Sequence, residues 1–93
     1  MIIGTGQIVL YANWVHSLKE KRMVVKSLLD KVKHRFNVSI AEIENQDIHQ
    51  TIVIGIACVS NSTRHANSSI QNVLEYIEQN TDASVEDYQI EIL

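Results

Sequence analysis

The stretch QTIVIGIACV, residues 50–59, is the clearest β-strand in this 93-residue sequence and the best guide to its fold. Its side chains alternate between two faces with the period of two that marks a strand. Both faces are apolar: one holds Ile52, Ile54, Ile56 and Cys58, and the other holds Val53, Gly55, Ala57 and Val59.

Three more segments have strand periodicity. Residues 2–12 precede the first helix, residues 38–44 come just before the turn signal at 45–47, and residues 84–93 end the sequence. In the segment 38–44, Val38 and Ile40 share one face while Ala41 and Ile43 share the other, and the sequence does not show which face is buried. Glu42 and Glu44 are two residues apart and are expected on one side of this edge strand, where carboxylates keep the edge soluble.

Two segments have helical periodicity. Ser17-Leu18-Lys19-Glu20 is a capping-box pattern, which predicts that Ser17 accepts from the N–H of Glu20 and that the Glu20 carboxylate accepts from the N–H of Ser17. The helix is expected to reach about Phe36, with Asn37 in the left-handed conformation that ends helices. Its predicted apolar face is Leu18, Val25, Leu29, Val32 and Phe36.

The second predicted helix begins after a cap at Asn61 or Ser62 and ends near Asn80. Its apolar face is Ala66, Ile70, Val73, Leu74 and Ile77.

The element order is therefore β-α-β-β-α-β in a single domain, residues 1–93, of the α+β class. Two helices of this length cover one face of a four-stranded sheet, and right-handed crossovers place the first and third strands in its centre. The expected fold is a ferredoxin-like two-layer sandwich with an antiparallel sheet. The uncovered face is expected to expose an apolar patch of Val53, Ala57 and Val59, with Val9 or Tyr11 beside them, suited to self-association.

Composition restricts the class of protein. No apolar run approaches the roughly 20 residues that span a bilayer, and no basic segment precedes a long apolar one, so we expect a cytoplasmic protein without membrane contact. Cys58 is the only cysteine, which excludes an internal disulfide.

Charge is distributed unevenly along the chain. Seven of the eight lysines and arginines lie between Lys19 and Arg35, with only Glu20 and Asp30 among them, so this window carries +5 while the remainder carries −8. A basic helix on an acidic body suggests a polyanionic partner.

The predicted anion or nucleic-acid site lies on the first helix. Lys19, Lys21 and Arg22 occupy its first turns, where the free N–H groups already attract anions and Ser17 is close by. Lys19, Arg22, Lys26 and Lys33 form a positive stripe along one flank, Lys31 and Arg35 lie on the other, and Lys21 is nearer the apolar face. The alternative is a solvated face, neutralised by Glu42, Glu44 or Asp47. The predicted site residues are Ser17, Lys19, Lys21, Arg22, Lys26 and Lys33.

The sequence contains no recognisable catalytic motif, metal site or cofactor site. The four histidines are 15 or more residues apart, so no pair occupies one helical turn. Cys58 belongs to the strand face assigned to the core, where a thiol acts as a small hydrophobe. The residues Gly4-Thr5-Gly6 precede more strand and match neither a dinucleotide loop nor a Walker loop. We predict no catalytic residue, no metal and no cofactor.

The segment Ser17-Leu18-Lys19-Glu20-Lys21-Arg22, followed by Val24–Leu29 and by Arg35-Phe36-Asn37-Val38-Ser39, resembles the YlxP-like family of small bacterial proteins of uncharacterised function. The similarity extends over essentially the whole length. It implies a ferredoxin-like fold and a bacterial cytosolic protein. Members are often encoded near translation initiation and ribosome-maturation factors, which suggests RNA or the ribosome as partner. The family offers no established catalytic residues.

Three functions are compatible with these observations. The leading one is a non-enzymatic binding module that contacts ribosomal or other structured RNA through the basic first helix. The second is a homo-oligomeric, dimeric for example, regulatory or small-anion-binding domain that uses the open sheet face. The third is an acylphosphatase-like enzyme, which would need an anion-cradling loop after the first strand. Asn13-Trp14-Val15-His16 lacks the glycine or arginine for such a loop.

Overall fold

The computed structural model describes residues 1–93 and confirms the ferredoxin-like α+β fold. The elements are β1 (Ile2–Tyr11), α1 (Leu18–Arg35), β2 (Ser39–Glu44), β3 (Thr51–Ser60), α2 (Thr63–Gln79) and β4 (Ser84–Ile92). The four strands form one antiparallel sheet in the order β2-β3-β1-β4, so β1 and β3 are central as predicted. Neither helix is long and apolar enough to cross a membrane.

The core lies between the two helices and one face of the sheet. On the sheet, the register pairs Ile8 with Ile54 and Leu10 with Ile52, and all four side chains are buried. The sequence did not show which face of β2 is buried. In the structure Ile40 is buried and Ile43 is 43% exposed. The five predicted apolar residues of α2 are all buried, and Cys58 packs against the core as expected.

The helix α1 is rotated from its predicted orientation. Its buried residues are Lys21, Val25, Leu28 and Val32, while Leu29 is only partly buried. Spacings of four, three and four again describe one helical face, but that face includes a lysine, which hydrophobic periodicity could not assign to the interior.

The helix ends differ from prediction in two details. Phe36 closes α1 in an extended conformation (φ −127°, ψ 145°), with its N–H bonded to the Val32 carbonyl at 2.8 Å. Asn37 is therefore not left-handed; the positive φ of 59° belongs to Asn45, in the turn between β2 and β3. Ser62 caps α2, its hydroxyl accepting from the N–H of His65 at 3.3 Å.

The two helices lie over opposite halves of the sheet. The helix α1 contacts the edge strand β2, whereas α2 packs on β1, β3 and the other edge strand, β4. Each edge of the sheet is therefore flanked by a different helix: β2 lies beside α1, and β4 lies beside α2.

Candidate polyanion-binding surface

The buried face of α1 contains Lys21, whose side chain is 1% exposed. Its ammonium group donates to the carbonyl oxygens of Asn45 and Ile48, each at 2.6 Å. Oε2 of Glu42 lies 2.8 Å from the same Nζ, although it accepts no well-directed hydrogen bond. All three partners come from β2 and the turn that follows it, so Lys21 joins α1 to that turn.

This arrangement corrects the prediction that Lys21 belongs to the anion site. Its ammonium group is enclosed by acceptors of the same molecule and cannot reach a partner. The predicted neutralisation by Glu42 does occur, but at Lys21 alone.

The predicted pairing of Glu42 with Glu44 on one side is also wrong. A β-bulge separates these residues, so that Glu42 pairs with Ile54 on the helix face and Glu44 pairs with Val53 on the open face. Glu42 shares the helix face with Ile40 by ordinary alternation, which points its carboxylate towards Lys21, and the bulge moves Glu44 to the other face.

Two side chains of the chain itself, those of Ser17 and Glu20, make hydrogen bonds at the amino end of α1. The Ser17 hydroxyl accepts from the N–H of Glu20 at 3.1 Å, as predicted, and the Glu20 carboxylate accepts from the N–H of His16, rather than Ser17, at 2.8 Å. Ser17 therefore caps α1, and a carboxylate of the chain itself bonds the backbone just before the helix.

The remaining predicted residues form one exposed surface, which we call the basic flank: Lys19, Arg22, Lys26 and Lys33. Arg22, Lys26 and Lys33 line a shallow groove of about 260 Å³ between α1 and β2, together with Val25, Leu29 and the carboxylates Asp30 and Glu42. Lys19, Arg22 and Lys33 have no carboxylate within 4.0 Å, since the molecule's two ion pairs involve Lys21 and Lys26.

Lys26 donates to the carboxylate of Asp30 at 2.7 Å, and both side chains are more than half exposed. This hydrogen bond lowers the pKa of Asp30 from its ordinary 3.8, desolvation opposes the shift, and the positive charges of Lys26 and Lys33 add to it. Exposed pairs of this kind contribute little to stability, so Lys26 can exchange Asp30 for another anion at little cost.

The opposite flank of α1 is partly used for packing. The Arg35 guanidinium lies 5.1 Å from the ring centroid of Tyr76 and 6.0 Å from that of Phe36, and the two rings meet edge to face. This cation–π contact has no signal in the sequence, because it depends on how α1 and α2 pack together.

The open face of the sheet is less apolar than predicted. Val53 is only 2% exposed, so it cannot belong to an exposed patch, whereas Val59 is 71% exposed. The Ile43 side chain lies against Gly55, and Gln7 and Gln89 meet on the neighbouring strands with a side-chain hydrogen bond of 3.4 Å.

No group of three or more His, Cys, Asp and Glu side chains is placed to hold a metal ion. In the connection between β1 and α1, Ala12 and Val15 are both fully buried, and the N–H of Val15 bonds to the Ala12 carbonyl.

Comparisons with known proteins agree with this fold. Residues 3–90 match the family model described as a protein of unknown function, DUF503. The uncharacterised protein YlxP of Bacillus subtilis (strain 168) is 48% identical over 62 residues, which is 67% of each chain. A de novo designed protein with a ferredoxin fold, solved by solution NMR, superposes with a TM-score of 0.62 at 13% identity, covering 98% of this chain and 85% of the design. This chain therefore belongs to the YlxP-like DUF503 family of proteins of unknown function.

Proposed function

We propose that the protein is a non-enzymatic RNA-binding module, associated with the ribosome, that contacts phosphate groups through the basic flank. The observation that carries this proposal is that Lys19, Arg22 and Lys33 are exposed on one flank of α1 and have no carboxylate partner, in a molecule whose net charge is −3. Structured RNA is the polyanion suggested by the translation-linked neighbourhood of the family.

The geometry of the flank suits a phosphate backbone. From Lys19 to Lys33 the helix rises about 21 Å, at about 1.5 Å per residue, and the cations point the same way along that length. Cations arranged linearly on a rigid element can contact successive phosphates without ordering a loop. Burial of Lys21 leaves four cations for this role rather than five.

The acidic remainder of the molecule restricts how RNA can bind. Outside Lys19–Arg35 the chain carries −8, which repels nucleic acid from much of the remaining surface. With about four phosphate contacts, the logarithm of the binding constant should fall with the logarithm of salt concentration with a slope of about −3 to −4.

Crosslinking to cellular RNA tests the proposal with variants matched in charge. Arg22→Glu/Lys33→Glu reverses two cations on the basic flank, while Lys31→Glu/Arg64→Glu reverses two exposed cations away from it. We expect the first variant to recover roughly tenfold less RNA than the wild type, and the second to stay within roughly twofold. Equal recovery by the two variants would refute binding through the basic flank.

A further inference from the structure

A groove of about 310 Å³ runs between α2 and β4, at the edge of the sheet opposite the basic flank. Its lining is mainly apolar, and the aromatic ring of Tyr88 stands beside it, 61% exposed. We call this the acidic groove, because Glu75 and Glu78 are the charged residues among those that line it. The lining residues are Ile8, Gln71, Leu74, Glu75, Glu78, Val85, Tyr88 and Ile90.

The strand β4 that borders the groove is a free edge, since it pairs with β1 and with no other strand. Ile3 and Leu93 exchange both backbone hydrogen bonds, at 3.1 and 2.7 Å. Counting back from Leu93, every second residue of β4 therefore bonds to β1, and the residues between them do not. The N–H and C=O groups of Ile90 and Ile92 therefore point outward, away from β1. These groups offer hydrogen bonds to an additional strand.

Along the sequence, every charged residue after Arg64 is acidic, apart from histidine. Residues 65–93 contain Glu75, Glu78, Asp82, Glu86, Asp87 and Glu91, and no lysine or arginine. None of the six carboxylates forms an ion pair, because both ion pairs of the molecule lie on α1. An open edge with uncompensated carboxylates is complementary to a cationic strand.

We propose that β4 accepts, as a fifth strand, an extended basic segment of another protein in which lysine or arginine alternates with apolar residues. In strand addition of this kind, main-chain hydrogen bonds provide the affinity and alternate side chains provide the specificity. Side chains on the helix side would enter the acidic groove beside Ile90, and those on the open side would meet Asp87 and Glu91, which pair with Val9 and Thr5.

A second copy of this chain fits the edge poorly. The other free edge, β2, lies beside the basic flank, but a β2-to-β4 contact would join each copy to the next in an open chain rather than a closed dimer. Pairing β4 with another β4 would place carboxylates against carboxylates. Like charges across a strand pair are destabilising, which leaves a basic partner as the favoured occupant.

The probe for this proposal is a synthetic peptide of about seven residues that alternates lysine and valine and is blocked at both termini. We expect titration into ¹⁵N-labelled protein to shift the amide signals of Ile90 and Ile92 and to slow their hydrogen exchange. A peptide alternating glutamate and valine should not bind. N-methylation of the lysine–valine peptide at alternate residues should abolish the protection, because it removes the inter-strand donors without changing charge.

Variants on the two edges provide the matched comparison. Glu75→Gln/Glu91→Gln removes one carboxylate from each side of β4, and Glu44→Gln/Asp47→Asn removes two near the opposite edge. The first should weaken peptide binding roughly three- to tenfold, and the second should leave it within roughly twofold. Equal effects of the two variants, or equal binding of the N-methylated peptide, would overturn the proposal.

Sedimentation velocity of the protein alone tests the competing occupant. We expect a monomer. A dimer that dissociates when residues of β4 are substituted would overturn the assignment of this edge to a basic partner. None of these measurements involves the basic flank, so they succeed or fail independently of RNA binding.

Discussion

The ammonium group of Lys21 and the carboxylate of Glu42 meet at 2.8 Å beneath the surface, with the lysine side chain 1% exposed and that of the glutamate 16% exposed. The pair joins the first turn of α1 to β2, and the Asn45 and Ile48 carbonyls extend the contact to the following turn. A buried ion pair contributes little net stability over an apolar pair, but loss of one partner leaves the other unpaired.

Replacement of Lys21 by methionine should therefore destabilise the protein by about 2–4 kcal/mol, because Glu42 loses its counter-charge and the two carbonyls lose their donor. Urea unfolding followed by circular dichroism measures the change. Lys19→Met, at an exposed position two residues earlier, is the control and should change the free energy of unfolding by less than about 0.5 kcal/mol. Comparable losses from the two substitutions would mean that the buried contacts of Lys21 are unimportant.

Gly6 allows α2 to approach β1 closely. A Cβ atom at Gly6 would lie 2.6 Å from Cγ2 of Ile70, which is fully buried and has no room to move. Gly6→Ala should cost about 1–3 kcal/mol in thermal or urea unfolding. At Gly55 the contact would be 2.8 Å, to Cγ2 of Ile43, but Ile43 is 43% exposed and can turn aside. Gly55→Ala should therefore cost clearly less, and the reverse order would contradict this account of the packing.

The Ser17 cap predicts a loss specific to the start of α1. Ser17→Ala removes the acceptor for the Glu20 N–H and should reduce stability by about 1 kcal/mol. Ser27→Ala, at an exposed position inside the same helix, should be neutral or slightly stabilising, since alanine is the better helix former. Unfolding midpoints of the two variants provide the test, and equal midpoints would show that the cap contributes nothing.

The pH dependence of Asp30 follows from its contact with Lys26. The folded pKa lies below the ordinary 3.8, so the stabilisation is fully present above that pH and is lost as pH falls through the folded pKa. A ¹³C NMR titration of the Asp30 carboxyl group should therefore inflect below 3.8 in the wild type. In Lys26→Ala the inflection should move upward, while Lys31→Ala should leave it in place. An unchanged titration in Lys26→Ala would contradict the assigned cause.

Much of the fold could be predicted because periodicity and local signals agree. The β3 alternation, the α2 apolar face and the Ser17 cap each depend on residues close in sequence, and each is present in the structure. The order of the strands followed from the handedness of the crossovers and from the coverage of one sheet face by two helices.

The errors in the candidate site have a common physical origin. Burial of Lys21 requires acceptors from Glu42, Asn45 and Ile48, which are at least 21 residues away in the sequence, so a pattern read along the helix could not reveal it. The bulge in β2 that moves Glu44 to the open face also has no signal in the sequence. The Glu20 carboxylate accepts from His16 instead of Ser17, a one-residue difference in backbone geometry that the capping pattern does not resolve.

The sheet order separates the opposite charges of the molecule, with cations beside β2 and carboxylates beside β4. The result is an electric dipole moment across the width of the sheet, perpendicular to the strands. Near a polyanion such a molecule experiences a torque that turns β2 inward and β4 outward before any contact forms. Under the two proposals made above, a polyanion and a basic polypeptide would bind at the same time on opposite sides of the sheet, with the protein between them.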